Sequence, residues 1–241
     1  MNFSVTKNGL PLNPDLYTWD EKTKTFLTNE SHLVLDFNSM NNITFKTSSH
    51  CIFKTGSYCT LDAGSDCVFK TGSDCVFKTG SDCTFDTSSD CVFTTGSYCT
   101  FKTCSDCVFK TGSDCTFKTF SDCTFDTSSD CVFTTGSDCT FKTFSDCTFD
   151  TGSHCTFKTG SDCVFKTGSD CVIVRRDIFE IIQPEPNVEI KLNKLGIQGF
   201  EAINHTHDIV IDGKTITLSE ESFNNLKTQL LNSLKARLIG E

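Results

Sequence analysis

Cysteine is the most chemically capable residue of this chain. There are seventeen, and sixteen of them fall on one arithmetic series, Cys51 to Cys171 in steps of eight; only Cys104 lies off it. Thiols in such numbers offer disulfide bridging, thiolate metal ligation or nucleophilic and redox reactivity. The spacing argues against the first two. Residues eight apart in a repeat stack as columns on strands about 4.7–4.9 Å apart, with parallel Cβ vectors. A disulfide needs Cβ atoms about 3.5–4.5 Å apart and turned toward each other. A tetrahedral metal site needs thiolates converging from several directions, and there is no Cys-x-x-Cys pair. The series, represented by Cys67, Cys75, Cys107, Cys131 and Cys163, is therefore read as free thiols used as small apolar core residues. Free thiols fit synthesis in a reducing cytoplasm. Met1–Lys7 shows no apolar leader run, which agrees.

Cys104 differs because it sits at the sixth place of its octad, where the side chain points outward and is able to react. Phe120 and Phe144 occupy the same place and are candidate exposed contact residues. Elsewhere no Ser/His/Asp set, phosphate loop or paired acid and base in a pocket emerges. The expectation is a protein that is not an enzyme and has no cofactor.

The elements that carry these residues follow from the repeat, Cys-[Val/Thr]-Phe-[Lys/Asp/Thr]-Thr-Gly-Ser-Asp. Its first, third, fifth and seventh places hardly change, while the even places vary. A period of two marks extended chain with one buried face. Cys and Phe then point inward, as in Phe69, Phe77, Phe109, Phe133 and Phe165, with Thr and Ser hydroxyls turned into the corners. Bulky residues at the sixth place indicate that Gly is not there to supply a left-handed backbone. The same phase is read upstream in Leu35-x-Phe37 and Ile43-x-Phe45, and downstream in Cys171-x-Ile173 and Phe179-x-Ile181. All four prolines lie outside 35–182, as stacked hydrogen-bonded strands require.

The fold expected is all-β: a β-solenoid of stacked octapeptide repeats over 35–182, with an N-terminal β cap over 1–34 and a C-terminal β-hairpin plus α-helix over 183–241. One octad cannot close around a Phe. Two octads give a two-sided coil of about 16 residues, built from sheets about 10 Å apart. Three give a triangular coil of about 24 residues. Near-duplicates recur at 24 and 40 residues, which are not multiples of 16. The two-sided coil is favoured. The triangular coil and an intertwined three-chain prism, with one octad per chain in each layer, stay open. The prism resembles the octapeptide β-prism of contractile-tail spikes, which uses a different consensus with a core Val.

Net charge is −10, and residues 51–170 hold nine Lys and sixteen Asp in regular columns. A phosphate backbone is an unfavourable partner for such a surface. Interleaved Lys argues against DNA mimicry, and irregular Val/Thr alternation beside charge argues against an ice-binding face. No apolar run approaches the ~18 residues of a membrane span. Protein partners or self-association into a homo-oligomer remain.

At the N-terminal end, Leu16–Trp19 and Thr23–Leu27 flank Asp20-Glu21-Lys22 as a hairpin. An open solenoid end exposes unpaired strand edges, so a cap is needed. Toward the C-terminus, Val188–Leu192 reads as a strand. Ile209–Ile211 and Thr215–Leu218 flank Asp212-Gly213 as a hairpin. Ser219 then caps a helix whose apolar stripe is Phe223, Leu226, Leu230, Leu234 and Leu238. The stripe packs on its own hairpin or the last coil, or makes a self-association helix.

The octads, the run Tyr17–Phe26, the run Arg175–Glu180 and the Ile211-Asp212-Gly213-Lys214 hairpin resemble uncharacterised octapeptide-repeat proteins encoded by phages and other viruses. The resemblance implies a viral origin and a structural or adhesive particle component: a fibre, spike or surface decoration. It carries no activity to any residue. A soluble binding or decoy protein in the infected host and a self-assembling filament are the alternatives. In trimeric phage fibres a His-x-His pair from each of three chains holds one iron through six imidazoles. His205-Thr206-His207 is the weak candidate here for such a metal site.

Overall fold

A computed structural model of the chain describes residues 3–203, 206–211, 214–219, 222–223 and 225–229. It divides into two units, 1–201 and 202–241. In the first unit, successive octads feed two sheets in turn. Val68–Lys70 joins a thirteen-stranded sheet, Val76–Lys78 a twelve-stranded one, and Thr84–Asp86 returns to the first. Through the octads, the strands of each sheet are parallel and in register at sixteen residues: Phe69 faces Phe85, and Phe77 faces Phe93. Two octads therefore close one coil, and a single chain closes it. This is the two-sided solenoid of about nine coils, not the triangular coil or the three-chain prism.

The period-two pattern is the reason. In strand after strand the central Phe is sealed and its two neighbours face water. The Phe rings form two columns. Within a column, centroids lie 4.8 Å apart with planes 3° from parallel, as for Phe93 and Phe109. Between columns, Phe109 and Phe117 meet edge to face at 5.2 Å. Each buried Phe contributes about 1.5–3 kcal/mol by leaving water, and favourable ring geometry adds about 0.5–1.5 kcal/mol. Only the intact stack recovers both.

The corners have two devices. The first is the eighth residue, which carries the left-handed backbone throughout: Asp74 has φ 56°, Asp106 φ 60°, Tyr98 φ 60° and His154 φ 59°. Asp adopts this conformation at lower cost than most residues, which fits its dominance there.

The second device is a socket. The Oγ of Ser97 occupies the space that a Cβ on Gly112 of the next coil would need. From there it accepts the backbone N–H of Ser113 at 3.0 Å. The same rung recurs from Ser81 to Ser97 and from Ser137 to Ser153. Gly is needed at the sixth place for close approach, not for its φ. Gly112→Ala is expected to expel the Ser97 hydroxyl and lose the rung, costing about 1–2 kcal/mol. Chemical denaturation should also show that adding Ser97→Ala recovers only part of that loss, because the clash with the hydroxyl goes while the close approach to the Ser97 main-chain N, 2.9 Å, stays.

The octad frame stops earlier than the sequence suggests at both ends. Leu35 pairs with Phe53, eighteen residues on, because the Asn38–Met40 turn inserts two residues. Leu35 thus takes a Phe place and not the Cys place. The parallel ladder reaches back to Thr25–Leu27, inside the span assigned to the cap. Downstream, Ile173 takes the Phe place opposite Phe157, but Phe179 is 87% exposed with φ 55° and Ile181 is exposed. Arg175 holds a tight turn there, and Ile181–Ile182 runs back antiparallel on Val172–Arg175. Residues 183–201 stay in the first unit through Ile190–Leu192, which pairs antiparallel with Val164–Lys166. The C-terminal unit therefore begins at 202, not 183.

Both ends of the ladder finish in antiparallel strands. Thr18–Asp20 pairs with Thr25–Leu27 as the hairpin reading expects. A second hairpin, Ser4–Lys7 with Leu10–Pro11, turns at Asn8 and Gly9, both with positive φ. It covers Leu33–Asp36. The Asn-Gly pair at this turn is a hairpin signal already present in the sequence. In the second unit, Thr206–Ile211 pairs antiparallel with Lys214–Ser219. Helix is described at 222–223 and 225–229, with Phe223 and Leu226 half-buried. Leu230, Leu234, Leu238, His205 and the Asp212-Gly213 turn lie outside the described residues. Among the described residues, no helix is long and apolar enough to cross a membrane.

Candidate interaction surface

Each surface position of the solenoid traces to one place in the octad. The second and fourth places form the two flat faces. The sixth and eighth form the two narrow edges. Lys occupies the fourth place, as in Lys70, Lys102, Lys110 and Lys142, so the faces are basic. Asp occupies the eighth, so the edges are acidic. Asp74, Asp90, Asp106, Asp122 and Asp138 follow one another up one edge; Asp114, Asp130, Asp146 and Asp162 follow up the other. Two of the Asp residues on the faces meet a Lys one coil away: Lys142 reaches Asp126 at 3.0 Å and Lys102 reaches Asp86 at 3.9 Å. These pairs are exposed and stabilise little. They do disfavour stacking out of register.

The buried thiols present nothing to solvent. All seventeen are free, and the sixteen of the series are sealed. Cys91 Sγ donates to Ser89 O at 3.4 Å and lies 3.7 Å from Gly72 O of the preceding coil. The same two carbonyls recur around Cys115. Cys91 is pushed up by the S–H groups of Cys107 and Cys75 and by burial. Cys67 is pushed up by Cys51, Cys83 and burial. Cys75 is pulled the other way by S–H groups of Cys59 and Cys91. Protons in such a column belong to the column as a whole. With every sulfur cut off from water, burial favours the fully protonated state.

The exposed features cluster where Gly leaves the sixth place. On one edge Ser88, Cys104 and Phe120 stand on three successive coils. Cys104 is half-buried, Phe120 is 64% exposed, and both line one groove of about 600 Å³. On the other edge Ser128 and Phe144 stand on successive coils, and Phe144 is 53% exposed. The structure thus brings Cys104 and Phe120 together but puts Phe144 on the opposite edge. A single aromatic patch containing both rings does not form, because 24 residues make one and a half coils.

Phe144 has a neighbour that the sequence reading missed. The guanidinium of Arg176 lies 4.7 Å from the Phe144 ring centroid. Its Nη1 donates to Thr143 O at 3.2 Å, and its backbone N–H to Thr159 O at 2.8 Å. No carboxylate among the described residues comes within ion-pair distance of it. Phe144, Arg176 and Leu195, itself 74% exposed, line a groove of about 430 Å³ with Ser145, Gly160 and Ser161. A signal was present: the chain has three arginines, and two stand together where the octads end.

The other, Arg175, is fully buried and holds the end of the solenoid. Its Nη2 and Nε donate to both carboxylate oxygens of Asp177, at 2.6 and 3.2 Å. Its remaining donors reach Ile197 O and Lys194 O. Asp177 also accepts the N–H of Gly196 at 3.2 Å, and Glu180 accepts that of Gly199 at 2.9 Å. Burial alone would raise the pKa of Asp177, but Arg175 and the Gly196 N–H outweigh it and hold it below its ordinary value.

Among the described residues no group of His, Cys, Asp and Glu is placed to hold a metal ion. The His205–His207 candidate is not addressed, since His205 lies outside those residues. Compared with family models, curated proteins and solved structures, the chain matches none.

Proposed function

We propose that the protein is a non-enzymatic structural or adhesive element, a component of a viral particle such as a fibre, spike or surface decoration. One observation carries this reading. About nine coils stack without a break on a nearly uniform core and end at both sides in antiparallel strands, while variation falls mainly at the outward positions. Such a solenoid is a stiff spacer of about 43 Å, at about 4.8 Å per coil. The outward second and fourth places can change at little cost to the stacked core. The grooves are shallow and open and carry no paired acid and base. The acidic edges make a nucleic acid a poor partner, and unbridged thiols sit best with synthesis in a reducing compartment.

Quantitative mass spectrometry of purified particles tests the proposal. Peptides of this chain are expected in the particles at a fixed copy number. Their absence there, together with recovery from the soluble fraction of infected cells bound to a host protein, would replace this reading with that of a soluble decoy.

A further inference from the structure

We propose that the Phe144–Arg176–Leu195 groove is a docking site for the Phe120 edge of a second copy of this chain, so that solenoids associate laterally, edge to edge. The inference stands independently of the particle assignment.

The groove combines an exposed ring, an exposed leucine and a guanidinium pinned between the Phe144 ring and Thr143 O. Among the described residues, no other side-chain contact of this guanidinium is a hydrogen bond or an ion pair. An Arg held in this way is preorganised for a carboxylate that arrives with an apolar side chain. The opposite edge of the same unit offers that combination. Phe120 projects there, 64% exposed, with the exposed carboxylates of Asp122 two residues on and Asp106 one coil back. Charge complementarity selects this occupant. The groove edge is otherwise acidic, with Asp146 close by, so without Arg176 a second acidic edge would be repelled. An aromatic seated among apolar atoms and flanked by one desolvated ion pair is the usual composition of an interface hot spot.

The two halves lie on opposite edges, one and a half coils apart, or about 7 Å along the solenoid axis. The contact is therefore heterologous: each copy gives a knob and offers a groove. It does not close on itself as an isologous dimer does, and it extends into staggered arrays.

Both knob and groove occupy a place where the repeat normally has Gly. Phe120→Gly and Phe144→Gly therefore restore the octad's own residue, and both variants are expected to fold. Sedimentation velocity and light scattering over a concentration series read the result. The full chain is expected to form species larger than dimers, more weakly at high salt. Phe120→Gly weakens association by about thirtyfold, and Arg176→Glu abolishes it. Each Gly variant alone lacks half of the contact, but mixing the two leaves one intact pair, so discrete heterodimers should form. A wild-type chain that stays monomeric at every concentration overturns the proposal. So does a Phe120→Gly chain that assembles like wild type, a mixture that fails to pair, or assembly that stops at a symmetric dimer.

Discussion

Phe109→Ala is expected to lower the stability of the solenoid unit by about 3–5 kcal/mol in denaturant titrations. Phe109 lies in mid-column, 4.8 Å from Phe93 and from Phe125 and edge-on to Phe101 and Phe117. Truncation removes its burial and leaves a void that cannot collapse. The strands above and below are held in register by main-chain bonds such as Val108 N–H to Cys91 O at 2.9 Å and Thr124 N–H to Cys107 O at 2.9 Å. Phe109→Leu should cost far less, about 1–2 kcal/mol, for loss of ring stacking. The chain holds its own precedent: Leu61, fully buried, stands in the same column between Phe45 and Phe77. Equal costs for Ala and Leu would show that the rings stabilise by stacking and not by filling space.

Arg175→Met should cost a similar amount, about 3–5 kcal/mol, by leaving Asp177 buried without its partner. The carbonyls of Ile197 and Lys194 lose their donor in the same step. Arg175→Lys should fail nearly as badly, because one ammonium cannot reproduce a bidentate carboxylate contact and two carbonyl contacts together. Damage is expected first in the 193–199 loop. Hydrogen exchange at the Gly196 and Gly199 amides should accelerate well before exchange at Val108 or Thr124. Uncovering the last strands also frees their edges, so the variant should aggregate. The same cluster sets an acid limit. The folded pKa of Asp177 is depressed, so its contribution is complete above the ordinary Asp value of about 3.9. It is lost as pH falls below that value toward the depressed one. Acid titration of Arg175→Met should lack this component. An unchanged acid profile would show that the pair contributes nothing.

The inside/outside code was legible because burial follows the two-residue period without exception through the octads: Cys and Phe in, second and fourth places out. Coil closure was harder to read. The recurrence at 24 residues marks an edge feature, Phe120 and Phe144, and that at 40 a feature of the faces, Asp86 and Asp126; neither is the length of a coil. The left-handed eighth place was invisible, because Asp, Tyr and His at a corner look like ordinary variable surface residues. The role of Gly as a socket for Ser was equally hidden, since it joins residues fifteen apart in different coils. The phase at both ends is hidden for one reason: a hydrophobic spacing of two cannot reveal a turn that adds two residues, such as Asn38–Met40, or one that reverses the strand, as after Arg175. The Phe144–Arg176 contact joins residues 32 apart, and it could be anticipated only once a coil of sixteen was known.

Alternation of octads between two sheets gives the chain a parity. An insertion or deletion of sixteen residues adds or removes a coil and leaves every downstream side chain on its own face and edge. A change of eight is equally silent to the core, because Cys, Phe, Thr and Ser recur in the same places. Yet it transfers everything downstream to the opposite side, so Phe144 would move to the edge that carries Phe120. The interior cannot tell odd from even, and only the surface can. Whatever binds these edges therefore constrains the repeat number in a way that folding does not.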